Sequence, residues 1–278
     1  MRFYVRDPKL RTIHKASVTD RVVHHIVSSE LEKIFEPAFI AHSYACRTSK
    51  GTHKGILDLQ RMALKVSKNN TRMCWALKCD VKKFFASVNH QILLKILAKR
   101  IGDQDLLALL EKIITSHSPG MLLGNLTSQF FANIYLNELD QFIKHELKVK
   151  YYVRYADDFV FLSPDRRYLE DLIRPVEHFL HEELDVTLHP RKVIFQKFRS
   201  GIDFLGYIIF PRHILPRTKT KKRLVKKIKE KITEFKQGKI SEERLNATIQ
   251  SYLGYLSHAD TYKFRKELEN QIWFWLTE

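Results

Sequence analysis

The segment from Tyr151 to Leu162 limits the fold more than any other. Tyr151-Tyr152-Val153-Arg154-Tyr155 and Phe159-Val160-Phe161-Leu162 are both aromatic and β-branched, and only Ala156-Asp157-Asp158 separates them. Such runs read as two paired strands, with the adjacent acids at or near the hairpin tip. A second β-like run, Trp75 to Val81, carries another acid at its end, Asp80. Strand ends in one sheet could bring these carboxylates together although almost eighty residues separate them. Adjacent acids repel each other and are costly unless a cation joins them. Aspartates are also ordinary turn residues, so the pair by itself favours a turn and nothing more, and the flanking aromatics with Asp80 bring the two readings level.

Around these strands the pattern is mostly helical. An apolar stripe runs through Val22, Ile26, Leu31, Ile34 and Phe35, and Thr52 is a good N-cap for a second helix. One helical stretch is expected over about 90–116, closed by Ser118-Pro119-Gly120, and another from about Thr127 through Ile143. A helix at about 166–183 precedes short strands in Val193–Phe198 and Ile202–Ile209. Pro211 and Pro216 mark a change of character. From Lys219 to Lys239 there are ten Lys or Arg against Glu230 and Glu234 only. Leu224, Val225, Ile228 and Ile232 recur there at helical spacing, so a separate basic helical subdomain is expected, with Tyr252, Tyr255, Trp273 and Trp275 in its core.

Charge narrows the partners. The 278 residues hold 48 Lys+Arg against 31 Asp+Glu, a formal net charge of +17. A field of that sign favours polyanions, nucleic acid ahead of an anionic membrane, although a merely basic protein is an equal reading of composition alone. Cys46, Cys74 and Cys79 have no paired spacing, so neither a disulfide framework nor a zinc site is indicated. The histidines are scattered. No apolar run approaches the roughly 18 residues of a membrane span. A cytoplasmic protein is expected.

Adding a nucleotide to a strand displaces pyrophosphate, and the charge develops on phosphoryl oxygens. Two Mg²⁺ ions ~4 Å apart can activate the 3′-hydroxyl and neutralise the leaving group, and two or three convergent aspartates suffice to hold them. Here the residues resemble the reverse transcriptases. Tyr155-Ala156-Asp157-Asp158 matches their Tyr-x-Asp-Asp motif, and Asp80-Val81-Lys82-Lys83-Phe84-Phe85 their first acidic palm motif. Phe204-Leu205-Gly206-Tyr207 resembles the later Phe-Leu-Gly turn, preceded by His189-Pro190-Arg191-Lys192. Arg11-Thr12-Ile13, Thr19-Asp20-Arg21-Val22-Val23 and Tyr44-Ala45-Cys46-Arg47 with Gly51-Thr52-His53 are similar to fingers blocks of bacterial retroelement enzymes. The blocks keep their order over about residues 9–260. The sequence opens almost at the first block, so the helices that precede it in relatives are expected to be short or absent.

The resemblance implies an α+β right-hand polymerase. Fingers would span 1–79, with 95–135 returning to them, an antiparallel-sheet palm 80–211, and a basic helical thumb 212–278. Asp80 and Asp157 would hold both Mg²⁺ ions, for which Mn²⁺ is a substitute, with the Val81 carbonyl as a further ligand. Asp158 completes the acidic set, its direct ligation left open. Phe85 would sit under the deoxyribose and exclude a 2′-hydroxyl, beside Phe84. Lys82, Lys83 and their backbone amides would hold the triphosphate, joined by Arg11 from the fingers. Lys192 would protonate the leaving pyrophosphate or simply pair with an acid. Arg47 and Gln129 would meet the template, Arg47 with an equal claim to a helix-start role. Lys219, Lys222 and Lys226 would follow the phosphate backbone.

Leu123-Gly124-Asn125-Leu126-Thr127-Ser128-Gln129 resembles the reverse transcriptases of diversity-generating retroelements, with Leu122 a departure where proline is usual. At Leu123, retroviral relatives place a glutamine that helps to position the incoming nucleotide beside Gly124. A leucine offers packing without a hydrogen bond, so base selection should weaken. That subtype implies error-prone cDNA synthesis opposite template adenine, from a bacterial or phage-encoded retroelement. Its partners would be template RNA, the cDNA primer, dNTPs and a small basic accessory protein. The alternatives are a group II intron-like or retron-like enzyme, or a non-catalytic nucleic-acid-binding subunit with the same fold.

Overall fold

The computed structural model describes residues 2–5, 11–14, 16–116 and 119–278, with the side chains of Arg2, Arg11, Thr12 and His14 outside that description. In chain order the elements are β1 (Arg2–Val5), β2 (Arg11–His14), α1 (Val18–Phe35), α2 (Thr52–Val66), β3 (Trp75–Asp80), α3 (Phe84–Ser87), α4 (His90–Ala98), α5 (Gln104–Thr115) and α6 (Leu126–Gln141). There follow β4 (Tyr152–Tyr155), β5 (Asp158–Ser163), α7 (Arg166–Asp171), α8 (Ile173–Glu182), β6 (Ile194–Lys197), β7 (Ile202–Phe204), β8 (Tyr207–Ile209), β9 (Ile214–Pro216), α9 (Thr218–Lys236), α10 (Glu242–Ser257) and α11 (Tyr262–Thr277). This mixture of helices and antiparallel strands is the expected α+β class.

The chain divides into two compact units, Met1–Leu59 with Trp75–Phe195, and Gln60–Cys74 with Gln196–Glu278. In the first unit β3 and β4 both run antiparallel to β5, which lies between them. Leu77 and Cys79 of β3 and Phe159 and Phe161 of β5 alternate onto one face and pack into a core with Leu31, Ile134, Tyr135 and Leu180. Helix α6 is buried almost all round, polar residues included, because this core surrounds it. Ser17 starts α1 with a capping box, its hydroxyl accepting from the Asp20 N–H while the Asp20 carboxylate accepts from its own.

The second unit has a three-stranded antiparallel sheet, β7-β8-β9, and the helices α9–α11. Leu224, Ile228, Ile232, Leu245, Ile249, Leu256, Leu268 and Ile272 form its core. Residues 196–211 cluster in this unit. Specific bonds explain it: Arg217 pairs with Asp203 (Nε–Oδ1 2.6 Å), the Ile214 N–H donates to Asp260, and the Tyr207 ring packs on Tyr255.

Several expectations change in detail. The β1–β2 pair lies in a stretch for which no strand was expected. The stretch 90–116 is two helices, because Asp103 caps a new one after Gly102. Gly51, at φ +94°, precedes α2, and Thr52 is its first residue, so the Thr52 hydroxyl donates to the Tyr155 hydroxyl instead of capping. Trp273 is exposed (67%), since Leu268, Ile272 and Trp275 take the inward side of α11.

Candidate active site

Asp158 is the first residue of β5 and pairs directly with both Asp80 of β3 and Tyr155 of β4. The hairpin turn is therefore only Ala156-Asp157, with Ala156 at φ +51°. Side chains alternate along strands, so Lys78, Asp80 and Asp158 share the face of the sheet opposite the core. The Val81 N–H donates to the Asp157 carbonyl (3.2 Å) and fastens the end of β3 to that turn. Three carboxylates separated by up to 78 positions thus reach one place.

Their charge is only partly met. Lys192 Nζ lies 2.6 Å from Asp80 Oδ2, and Lys78 Nζ lies 3.5 Å from Asp158 Oδ1. Burial, reinforced by Asp80 and Asp158, pushes the Asp157 carboxyl up to about 6. Burial likewise raises Asp158, opposed by Lys78. Among the described residues no three His, Cys, Asp or Glu side chains are gathered into a ready metal cage. The donors nonetheless suit a hard divalent cation: they are carboxylate oxygens, and their mutual repulsion is what such a cation relieves. Asp80, Asp157 and Asp158 would hold it.

The reverse face of the same hairpin is neutralised completely. Arg154 and Asp140 form a fully buried fork, with Nε–Oδ1 at 2.8 Å and Nη2–Oδ2 at 2.6 Å. The Tyr152 hydroxyl also donates to Asp140 (2.9 Å), and Arg154 Nη1 donates to Asn133 (3.2 Å) and to the Ala156 carbonyl (3.3 Å). Asn133 in turn donates to the Ala45 carbonyl. Sequence reasoning missed this network; its signal was a lone charge inside an apolar β run. Lys78 was missed as well, although it stands two positions before Asp80, on the same strand face.

Asp80, Val81, Asp157, Asp158 and Lys192 therefore come together as expected. Phe84 is buried and Phe85 half-buried, their rings edge to face at 5.6 Å. Lys82 and Lys83 are exposed beside them, Lys83 at φ +47°. The Lys82 amide departs from its expected role, because it donates to the Thr187 carbonyl (2.8 Å). Arg47 is tied inside the protein, its guanidinium donating to Glu36 and to the Ile40 and Ser43 carbonyls, so its placement is structural. Gln129 is exposed on the first turns of α6 and accepts from the Cys46 thiol. Leu123 is half-buried and Gly124 exposed, at φ +122°. The Arg11 side chain lies outside the described residues. In the second unit Lys219, Lys222 and Lys226 lie exposed on α9, away from its buried Leu224 and Ile228.

Such a strand pair, bearing acids on one face and helices on the other, is the palm of a template-directed polymerase. The chain belongs to the family "Reverse transcriptase (RNA-dependent DNA polymerase)", whose model matches residues 6–209. It is similar to protein YkfC of Escherichia coli, 26% identical over 242 residues, covering 72% of this chain and 63% of that protein. The group II intron-encoded protein LtrA of Lactococcus lactis subsp. cremoris is 25% identical over 342 residues, covering 96% of this chain and 53% of LtrA. The chain thus spans about half to two thirds of the length of these two relatives. Among solved structures, telomerase from Candida tropicalis in complex with a TWJ fragment of telomeric RNA matches with a TM-score of 0.58 and 13% identity, covering 91% of this chain and 52% of that one. At that identity the likeness concerns the fold alone. No helix among the described residues is long and apolar enough to cross a membrane.

Proposed function

We propose that this chain is an RNA-directed DNA polymerase that extends a primer with dNTPs on an RNA template. The observation that carries the reading is the overloaded carboxylate face of the hairpin, set on a rigid, neutralised back. Divalent metal at Asp80 and Asp157 would supply charge neutralisation and nucleophile activation. Lys192, which pairs with Asp80, would be the acid that gives a proton to leaving pyrophosphate. Phe85 would exclude a ribose 2′-hydroxyl, while Lys83 and Arg11 would face the triphosphate. Lys219, Lys222 and Lys226 would neutralise backbone phosphates, so binding should weaken with salt. Primer extension on a defined RNA with Mg²⁺ tests the chemistry. Asp157→Asn should lower the rate by at least about a thousandfold; extension at the wild-type rate would refute the assignment.

For the subtype, the Leu123–Gln129 block supports mutagenic cDNA synthesis in a diversity-generating retroelement, with a structured template RNA and a small basic accessory protein. The likeness to LtrA, a group II intron-encoded protein, supports an intron-type enzyme comparably. Error spectra separate the two. Leu123→Gln should lower misincorporation opposite template adenine by about tenfold, and an unchanged spectrum would remove the mutagenic reading while leaving the polymerase.

A further inference from the structure

The loop that leads into Leu123 and Gly124 is bolted to the backbone of Phe85. The Met121 N–H donates to the Phe85 carbonyl at 2.6 Å. One residue earlier, Gly120 is buried at φ +73°, a conformation that glycine adopts freely. A Cβ there would collide with the Phe85 carbonyl oxygen and would stand 2.6 Å from the Ala86 carbonyl carbon and 2.7 Å from its Cα. All three are backbone atoms, so no side-chain rotation can make room. A third contact holds the glycine from outside. His90, the first residue of α4, donates from Nε2 to the Gly120 carbonyl at 2.8 Å. Asn89 caps that helix through its side-chain oxygen, which fixes where the imidazole starts.

We propose that Gly120 is a specificity-determining positioning residue that locks the sugar-sensing ring of Phe85 and the base-facing Leu123 loop into one unit. The proposal rests on the reading of Phe85 as the residue beneath the deoxyribose. Discrimination against a ribonucleotide depends on where one ring edge stands, and a shift of a few tenths of an ångström at the Phe85 backbone moves that edge. A close approach with no Cβ holds it there. Any side chain at position 120 must part the loop from Phe85–Ala86, so sugar selection and base selection should loosen together.

Single-nucleotide incorporation with matched dNTP and rNTP, as kcat/KM for each, tests this. Gly120→Ala should raise the rNTP-to-dNTP ratio by about tenfold, with misinsertion rising alongside and dNTP turnover less affected. Phe85→Ala, measured in parallel, should raise the same ratio. In the Phe85→Ala background Gly120→Ala should add nothing to it, because the glycine acts through the ring. His90→Ala removes one hydrogen bond without crowding the backbone and should move the ratio the same way by about threefold. It carries the test if Gly120→Ala does not fold. Phe85→Ala raising the ratio while neither Gly120→Ala nor His90→Ala does would overturn the clamp and leave the Phe85 reading intact. An effect of Gly120→Ala that persists undiminished without the ring would also overturn it. An unchanged ratio in Phe85→Ala would take down the Phe85 reading and the clamp with it, and a wild type that incorporates nothing would take down the polymerase reading.

Discussion

The two faces of the β4–β5 hairpin handle charge in opposite ways. Behind it, one guanidinium meets one carboxylate in a fork, both fully buried, with Tyr152 and Asn133 completing the hydrogen bonds. In front, three carboxylates share two lysines, and Asp157 is pushed up to about 6. The same strands build both. A buried charge is tolerable only when it is paired and fully hydrogen-bonded, and the back meets that condition. The front does not, and a bound cation would relieve the shortfall. Rigidity and reactivity are separated here by the thickness of one sheet.

The comparison breaks most visibly from behind. Asp140→Ala strands the Arg154 guanidinium in the core and should cost about 3–5 kcal/mol in chemical denaturation. A loss below about 1 kcal/mol would mean that the back is not a fixed support. Replacing both partners with apolar residues should recover much of that loss, since the desolvated charge then disappears as well.

Next comes the front, with the opposite sign. The folded-state pKa of Asp157, about 6, lies above its ordinary 3.8, so the folded protein holds this proton more tightly than the unfolded chain. Stability from this group is therefore full at low pH and is lost as pH rises from about 4 through 6. Without added divalent metal, Asp157→Asn should be more stable than wild type above pH 7 by up to about 3 kcal/mol, and the gain should fade toward pH 4. Thermal melts across pH give the curve, and a pH-independent difference would reject it. The smallest effect belongs to Lys78→Met. Loss of that cation from Asp158 should cost about 1 kcal/mol or less and lower the half-saturating Mg²⁺ concentration by about threefold. An unchanged or higher half-saturating Mg²⁺ concentration, in titrated activity or melting shifts, would show that Lys78 does not share the acids' field.

Legibility in the sequence followed the range of the interactions. The hairpin carrying Asp157 was readable because alternation and turn chemistry are local. Strand ends suggested that the carboxylates could meet, but the register that sets Asp80 opposite Asp158 was not legible, since strand pairing across 78 positions leaves no periodic trace. The Arg154–Asp140 fork joins a strand to a helix and was invisible for the same reason. Thr52 was misread because its hydroxyl has a partner in Tyr155, and tertiary context overrode a sound capping preference. That residues 196–211 cluster with 60–74 left no trace in the sequence, because short strands look alike whichever core they join. Arg47 was read as a template contact or a helix-start residue, while its partners, Glu36 and the Ile40 and Ser43 carbonyls, are set by tertiary packing that leaves no local trace.

The second unit is assembled from two separated stretches of chain. Gln60 donates to the Phe210 carbonyl at 2.8 Å, the Phe198 N–H donates to the Cys74 carbonyl, and Arg199 holds Asn70. A ribosome therefore makes residues 60–74 long before the partners that complete them, with more than a hundred residues of the first unit emerging in between. During that interval the far half of α2 must wait with its inward side unmet, a surface open to chaperones and to misassociation. Pausing or slowed elongation before residue 196 lengthens that wait, so the yield of folded protein should respond to codon choice in the middle of the gene more than at its start.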